Sequence, residues 1–292
     1  MEKVLILGSN GMLGHKLYQV LSPICDVTGT IRGNYGGVSK YGFFEKSRIV
    51  ADINALEISD IDKVIQKTRP DVVINCIGIV KALEDKSGRL LNISLNSLLP
   101  QQLYKICQKN GARFIHISTD CVFSGRKGNY HEDDPADAND VYGKTKYLGE
   151  VSDAGALTIR TSFIGRELAG SNGLLEWFIA NKGGGINGYT NAIFNGFPTL
   201  HLAGIIADII ANHRNLSGLY HISSVPISKF RLLVLINKTM RLNINVKEYS
   251  DFHCDRSLDS TRYRQETDFI PLSWEEMVNE LAQDAEQYLK WR

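Results

Sequence analysis

The chain has 292 residues, of which 43% are apolar and 22% charged, and its net charge is +1 at pH 7. These values are ordinary for a soluble globular protein of one large or two smaller domains, and they exclude a disordered chain, a collagen and a coiled coil. The near-zero charge gives no reason to expect nucleic acid or an anionic membrane as partner. The five cysteines form no CxxC pair, and no apolar run approaches about 18 residues. These features predict a cytoplasmic chain without disulfide framework, metal site or membrane span.

Short apolar runs alternate with amphipathic helical patterns through the first half of the chain. Continuous runs rich in β-branched residues, separated by helices, are typical of buried parallel strands in βαβ units. The sequence therefore predicts an α/β protein with a doubly wound parallel (Rossmann) sheet. The predicted strands cover 4–7, 27–31, 72–77, 114–117 and 157–159, and the predicted helices cover 13–21, 61–67 and 98–108.

The pattern changes after residue 162, where glycines and aromatic residues become frequent. A helical pattern returns at 200–213, and 219–222 is typical of one more buried strand. We therefore expect residues 1–162, with 199–222 returning, to form a nucleotide-binding domain. Residues 163–198 and 223–292 are expected to form a smaller substrate-binding domain.

A capping box predicts the start of the last helix. Ser273 and Glu276 have the spacing at which each side chain can cap the backbone N–H of the other. The helix that follows is expected to present one apolar face, made of Met277, Leu281, Ala285, Tyr288 and Leu289.

Three glycines, Gly8, Gly11 and Gly14, follow the first predicted strand and open the first helix. Glycine permits a tight turn there and lets a pyrophosphate approach the backbone at the helix N-terminus. A tight turn without a ligand is the alternative, since a glycine triplet alone is weak evidence. We expect the segment to bind a dinucleotide, with further contacts from Asn10, Met12 and Leu13.

The second strand is followed by Arg32, at a place where an acidic residue would bind the ribose 2′-hydroxyl of NAD. A cation there suits the 2′-phosphate of NADP. The sequence therefore predicts that NADPH is preferred over NADH, and a surface arginine is the alternative. Asp52 and Ile53, after the third strand, are expected to meet the adenine, although a surface aspartate is about as common at such a place.

The fourth strand ends in Asn75, Cys76, Ile77 and Gly78. The small Gly78 would let a cofactor lie across the strand end, because it has no side chain to occupy that space. Cys76, Ile77 and Gly78 are therefore predicted cofactor contacts. A plain strand terminus is the alternative.

Tyr142 and Lys146 are four residues apart, so on a helix they share one face. A free tyrosine has a pKa of about 10 and is a poor acid–base group at neutral pH. A lysine ammonium beside it is expected to lower that pKa, which would let Tyr142 exchange a proton with a carbonyl or alcohol oxygen. Since this spacing is common by chance, a solvated helix face is the alternative.

These motifs occur in the order found in the extended short-chain dehydrogenase/reductases, which the chain resembles over nearly its whole length. The glycine turn, Asn75–Gly78, Ser118 with Thr119, and the Tyr142/Lys146 pair carry the resemblance. The likeness is greatest to dTDP-4-dehydrorhamnose reductase and its relatives. Supporting runs lie at 118–123, 132–135, 160–162, 196–199 and 255–258.

The resemblance implies the NADPH-dependent reduction of the C4 ketone of a nucleotide-linked 4-keto-6-deoxyhexose, in the synthesis of a bacterial surface polysaccharide. It also implies a homodimer that forms through helices flanking the sheet. Tyr142 would protonate the C4 oxygen, Lys146 would hold the nicotinamide ribose and tune Tyr142, and Thr119 would hydrogen-bond the substrate oxygen. Asn96 matches an asparagine that supports a proton-relay water. Pro100, four residues later, has no N–H for the Asn96 carbonyl, so this oxygen is expected to stay free for water.

Cys121, Val122 and Arg256 are the further predicted substrate contacts. Arg256 would meet the substrate diphosphate, because arginine matches phosphate oxygens bidentately, and a surface arginine is the alternative. Cys121 stands where the dTDP-rhamnose enzymes usually have a tyrosine, and it resembles a cysteine of GDP-fucose synthase, which epimerises C3 and C5 before it reduces C4. Cys121 is therefore either an acid–base thiol or a small side chain that fills pocket space. Trp177 and Phe178 either line the pocket or belong to the core.

Two rival functions stay open at this point. One is a bifunctional 3,5-epimerase/4-reductase of the GDP-fucose synthase type. The other is a non-catalytic NADP-binding regulatory subunit, as in methionine adenosyltransferase, although Thr119, Tyr142 and Lys146 argue against it. A 4,6-dehydratase is disfavoured. The dehydratases of the superfamily that this chain resembles have an Asp-Glu pair directly after the active-site threonine, whereas Thr119 is followed here by Asp120 and Cys121. The nucleotide (dTDP, UDP or GDP) and the sugar are also open.

Overall fold

The structure is a computed structural model that describes residues 1–291, without the side chains of Glu84 and Asp85. Twelve strands lie within these residues. They are β1 Lys3–Leu7, β2 Asp26–Thr30, β3 Ile49–Val50, β4 Val72–Asn75, β5 Arg113–Ile117, β6 Ala156–Arg160, β7 Phe163–Ile164, β8 Gly185–Phe194, β9 Phe197–Pro198, β10 Gly218–His221, β11 Ile227–Ser228 and β12 Asn245–Asp255.

Twelve α-helices lie within the same residues, and a π-helical segment, Ile93–Leu98, runs directly into the sixth of them. They are α1 Gly14–Leu21, α2 Gly36–Ser39, α3 Ile58–Thr68, α4 Glu84–Ser87, α5 Arg89–Asn92, α6 Leu99–Asn110, α7 Val141–Leu148, α8 Leu174–Ala180, α9 Thr199–Asn212, α10 Lys229–Met240, α11 Thr261–Thr267 and α12 Trp274–Glu286.

Seven parallel strands form the central sheet, in the order β10-β6-β5-β4-β1-β2-β3. The predicted doubly wound sheet is thus confirmed. The chain moves outward from β1 in both directions, so the strand order reverses between β1 and β4. In open parallel sheets, ligands bind outside the carboxyl ends of the strands at such a point. The glycine turn after β1 and the segment after β4 meet there.

Both faces of the sheet are buried, which explains why its strands are nearly continuous apolar runs. In β1, Val4 and Ile6 pack in one hydrophobic cluster, and Leu5 and Leu7 pack in another on the opposite face. The first cluster includes residues of α1, α9 and α12, and the second includes residues of α3 and α6. Alternate residues of β1 therefore pack against the helices on the two opposite faces of the sheet.

A second sheet in the C-terminal half has the order β11-β8-β12, with β8 and β12 parallel. The sequence analysis did not identify β8, β12 or α10. Most residues of β12 are exposed, so the strand lacks the buried apolar run that marks the strands of the central sheet. The division of the chain into a nucleotide-binding and a substrate-binding domain stays a prediction.

The predicted capping box at the last helix is confirmed: the Ser273 hydroxyl and the Glu276 carboxylate each accept a hydrogen bond from the backbone of the other residue. The prediction for Leu289 was wrong, since this side chain is 73% exposed. The α-helix ends at Glu286 and a 3₁₀ turn follows, so the helical spacing that would have turned Leu289 inward is lost.

The last helix is fastened to the first one by a buried ion pair. Lys16 of α1 and Asp284 of α12 have completely or almost completely buried side chains, and Lys16 Nζ donates to Asp284 Oδ1 over 2.6 Å. Within residues 1–291, no helix is long and apolar enough to span a bilayer. The five cysteines, all in this part of the chain, are free thiols. The side chains that the structure describes include no group of three or more His, Cys, Asp or Glu arranged to hold a metal ion.

Candidate active site

A cleft of about 830 Å³ opens at the carboxyl ends of the central strands. It brings together Asn10, Gly11 and Met12 of the glycine turn with Thr119, Cys121 and Tyr142. These residues come from distant parts of the sequence and share the cleft because parallel strands end at the same edge of the sheet. Other parts of its wall are 80–83, 118, 120, 161–163, 167–169, 171–174, Trp177 and Lys229.

The glycine turn is held by backbone packing that a side chain would break. An ideal Cβ on Gly14 would lie 2.2 Å from the carbonyl oxygen of Gly8. Gly8 itself has a φ of +79°, a conformation that favours glycine. Leu13 is buried in the core beneath the turn, whereas Asn10 and Gly11 are exposed at the cleft. The turn therefore presents backbone to the cleft, as dinucleotide binding requires.

The segment after β4 is ordered by buried polar side chains. Asn75 Oδ1 accepts from the backbone N–H of Ile77, and Asn75 Nδ2 is 3.2 Å from His116 Nδ1. A Cβ on Gly78 would lie 3.0 Å from Asn96 Oδ1 and 4.0 Å from Lys146 Nζ. The glycine thus leaves open the space beside Asn96 and Lys146, and the residues present fit a nicotinamide dinucleotide.

The residues predicted to contact the adenosine end lie at the surface. Arg32 and Asp52 are exposed, and Ile53 is half-buried. Asp52 has a φ of +59°, and its backbone N–H donates to the Gly33 carbonyl, so it forms the turn after β3. Ile53 N–H donates to the Ile31 carbonyl and ties this turn to the end of β2. The structure therefore groups Arg32, Asp52 and Ile53, as a nucleotide contact would require.

Thr119 and Tyr142 both line the cleft, and they lie close enough together for the Thr119 side chain to act on the pKa of the Tyr142 phenol. Thr119 caps the short turn after β5, because its hydroxyl accepts from the Cys121 N–H and donates to Asp120 Oδ1. Tyr142 is the second residue of α7, whose N-terminus is capped by the Asp140 carboxylate. Two independent caps thus set the relative position of the hydroxyl and the phenol.

Lys146 is buried one helical turn after Tyr142, and its Nζ donates to the Ile117 carbonyl over 2.7 Å. Burial lowers the pKa of Lys146 to about 8, while Glu150 and Cys76 oppose the shift. Burial raises the pKa of Tyr142, and the nearby Cys121 and Asp120 add to the rise. The Tyr142 pKa is thus raised by desolvation and not lowered toward neutral pH as predicted, so the tyrosine stays a phenol at neutral pH.

The Asn96 side chain is held in place by the loop after β4 and by α7. Its Oδ1 accepts from the Ile79 N–H over 2.8 Å, and its Nδ2 lies 3.3 Å from Thr145 Oγ1. Gly149, at the end of α7, packs against the Asn96 carbonyl so closely that an ideal Cβ there would be 1.9 Å from the oxygen. That the carbonyl oxygen is free for a water molecule stays a prediction.

Cys121 lies at the cleft as a neutral thiol. Burial raises its pKa to about 12, and the adjacent Asp120 contributes to the rise. A thiol in this environment favours the interpretation of Cys121 as a small pocket-lining side chain over that of an acid–base group.

The two other predicted substrate contacts do not line the cleft with their side chains. Val122 is completely buried with Phe123, Tyr130 and Leu258, so a substrate contact could come only from its backbone. Arg256 Nε donates to the Phe123 carbonyl over 2.7 Å, which holds this half-buried side chain beside Asp120 and Cys121. Its predicted contact with a diphosphate stays a prediction.

The cleft also contains residues that the sequence analysis did not identify. Lys81 Nζ donates to Asp140 Oδ2 over 2.6 Å and so joins the loop after β4 to the cap of α7. Lys229 reaches the wall from the start of α10. Both are lysines that lie outside every motif described above, so nothing in the sequence distinguished them from other surface lysines. Trp177 lines the cleft, whereas Phe178 is completely buried in the core.

The comparisons with known proteins agree with this geometry. The family model described as RmlD substrate binding domain matches residues 1–287. The spore coat polysaccharide biosynthesis protein SpsK of Bacillus subtilis is 24% identical over 97% of this chain and 98% of its own length. A dTDP-4-dehydrorhamnose reductase of Streptomyces griseus is 32% identical over 155 residues, which are 50% of this chain and less than half (43%) of that protein.

Among solved structures, the dTDP-4-dehydrorhamnose reductase from Bacillus anthracis in complex with NADP superposes with a TM-score of 0.79. It is 25% identical, and the match covers 97% of this chain and 99% of that one. These matches confirm the predicted class of an NAD(P)-dependent reductase related to the dTDP-4-dehydrorhamnose reductases. The chain belongs to the RmlD substrate binding domain family, within the extended short-chain dehydrogenase/reductases.

Proposed function

We propose that the protein uses NADPH to reduce the C4 ketone of a nucleotide-linked 4-keto-6-deoxyhexose, for the synthesis of a bacterial surface polysaccharide. The juxtaposition of Thr119 and Tyr142 at the cleft, with Lys146 buried one turn away, is the observation that carries this proposal. One full-length relative bears the name of a polysaccharide biosynthesis protein, which supports the proposed purpose.

The proposed roles follow from the protonation state and the position of each group. Nicotinamide, when bound, would supply a hydride to the sugar carbon. Tyr142 is a phenol, so it can donate its proton to the carbonyl oxygen as that oxygen becomes an alkoxide. Thr119 can hydrogen-bond the same oxygen when its hydroxyl proton turns from Asp120 Oδ1 to the substrate. The Lys146 ammonium, fixed by the Ile117 carbonyl, offsets the charge of the phenolate that the transfer leaves behind.

The nucleotide and the sugar can be found by direct assay. We would follow NADPH oxidation by the purified protein with dTDP-, UDP- and GDP-linked 4-keto-6-deoxyhexoses. Turnover with one nucleotide series supports the proposal and names the nucleotide. If NADPH binds but none of the three series is reduced, the proposal fails and the regulatory alternative gains support.

The preference for NADPH is proposed to rest on Arg32. An Arg32→Ala change is expected to reduce the ratio of kcat/KM for NADPH over NADH about tenfold or more, because a charge-assisted contact with the 2′-phosphate contributes roughly 1.5–3 kcal/mol. Arg69, an exposed arginine at the opposite end of the sheet, provides the control as Arg69→Ala. An unchanged ratio in the Arg32 variant would show that another group selects the cofactor.

The homodimer is proposed to form through the exposed apolar residues of α7 and of the π-helical segment. Leu98, Tyr147 and Leu148 are 53%, 48% and 61% exposed. A Leu148→Glu change is expected to convert a dimer to a monomer, because an interface that buries this residue would then bury a charge. Sedimentation velocity would measure the mass, with Ile270→Glu as a control at an equally apolar but distant site. A wild-type monomer, or a dimer unaffected by Leu148→Glu, would contradict the proposal.

A further inference from the structure

We propose that Glu150 is a positioning residue for the proposed reduction, and the inference therefore rests on the proposed function. Its buried carboxylate fixes the strand end that carries Thr119 and keeps a negative charge beside Lys146. Glu150 lies just beyond the end of α7, four residues after Lys146.

The carboxylate is held on both sides by short hydrogen bonds. Glu150 Oε1 accepts from Ser118 Oγ over 2.7 Å and from Arg160 Nε over 2.8 Å, and Oε2 accepts from Arg160 Nη2 over 2.7 Å. The side chain of Glu150 is 8% exposed and that of Arg160 is 3% exposed. Such a bidentate pair is geometrically specific, because the planar guanidinium fits both carboxylate oxygens at once.

The Glu150–Arg160 ion pair connects the ends of three strands, β5, β6 and β10. Ser118 directly follows β5 and precedes Thr119, and its backbone N–H donates to Ile159 of β6. Arg160 ends β6, and its Nη1 is 3.2 Å from Nε2 of His221, the last residue of β10. The bond from Ser118 to Glu150 therefore ties the residue before the catalytic threonine to a rigid buried network.

The same carboxylate lies in the electrostatic environment of Lys146. The titratable groups around Lys146 are Cys76 after β4, His116 in β5, Tyr142 one turn earlier in α7, and Glu150. Burial raises the pKa of Cys76 to about 12, and burial and Lys146 hold the pKa of His116 well below its ordinary value. Cys76, His116 and Tyr142 are thus neutral at pH 7. Among these four residues around Lys146, Glu150 is the one with a carboxyl group.

A Glu150→Gln change separates charge from packing, because glutamine retains an oxygen for the Ser118 hydroxyl. We expect the midpoint of Lys146 titration to fall by about one pH unit, since a nearby opposite charge typically shifts a pKa by roughly 1–3 units. The alkaline limb of kcat should move to lower pH by the same amount, with a smaller change in KM. The titration would be measured on the protein without substrate or cofactor, from the pH dependence of the Lys146 ¹³Cε chemical shift after ¹³C labelling of the lysines, because the buried amine is poorly accessible to reagents.

Two further variants make the test specific. Asp284→Asn removes the carboxylate of a second buried ion pair, that with Lys16, outside the cleft. It is expected to lower thermal stability and to leave the Lys146 midpoint in place. Should Glu150→Gln not fold because Arg160 is left unpaired, Glu150→Gln with Arg160→Met removes that cation. A downward shift, smaller than in the single variant, is then expected, since Glu150 and not Arg160 is among the groups that set the pKa of Lys146.

The inference is overturned if the Lys146 midpoint in a folded Glu150 variant equals that of the wild type. It is also overturned if Asp284→Asn shifts the midpoint equally, since the effect would then be a general consequence of lost stability. A protein that reduces none of the sugars would contradict the proposed function and leave the titration result intact, so the two failures are distinguishable.

Discussion

A Tyr142→Phe variant is expected to lose about 10²–10⁴-fold in kcat, the range that a positioned general acid typically contributes. Phenylalanine retains the ring and removes the hydroxyl, which is the proton donor beside Thr119 at the cleft. Because desolvation raises the pKa of the phenol, it is the protonated form that the variant removes. NADPH affinity, measured by fluorescence titration, should change by only a few fold.

The same helix offers a matched control for this prediction. Tyr147 is 48% exposed and does not line the cleft, so Tyr147→Phe should retain wild-type kcat. If Tyr142→Phe kept more than a tenth of the wild-type kcat, the proton would come from another group. Cys121 would then be the first residue to replace, because it lies at the same cleft.

A Gly14→Ala change is expected to weaken NADPH binding at least about tenfold, which corresponds to roughly 1.4 kcal/mol. The added Cβ would lie 2.2 Å from the Gly8 carbonyl oxygen and 3.0 Å from Ser9 Cα. These are backbone atoms, so the strand-to-helix turn itself must move. The affinity would be measured by fluorescence titration, and the folded state of the variant by circular dichroism.

Gly204→Ala is the control for this substitution. Gly204 lies within α9, and a Cβ there would meet no atom within 4 Å. Alanine should therefore stabilise the helix by roughly 0.5–1 kcal/mol and leave NADPH binding unchanged. Equal affinities in the wild type and Gly14→Ala would show that the glycine turn does not hold the dinucleotide.

Much of the central sheet could be predicted because its strands are buried on both faces. Runs such as Val4–Leu7 and Phe114–Ile117 are apolar at nearly every position, and the structure extends each by one residue at its start. The glycine turn was predictable for a different reason. Gly14 packs so closely on the Gly8 carbonyl that no side chain fits there. The glycine at this position therefore indicates the backbone geometry of the turn.

Other features depend on tertiary contacts that no local pattern contains. The raised pKa of Tyr142 comes from burial, which the spacing to Lys146 does not reveal. Lys229 reaches the cleft from a remote segment, and Gly149 packs against the Asn96 carbonyl because α7 ends against the π-helical segment. The network of Glu150, Ser118 and Arg160 was likewise invisible, since its members lie on three separate elements of the chain.

The most direct test of the proposed reduction follows the hydride itself. The protein would be incubated with NADPH that is deuterated at C4 of the nicotinamide and with the 4-keto-6-deoxyhexose nucleotide that it turns over. The product would be examined by mass spectrometry and NMR. The proposal predicts one deuterium, located at C4 of the sugar, and none at C3 or C5. A product without deuterium at C4, or NADPH that stays bound and unoxidised with every sugar, would contradict it.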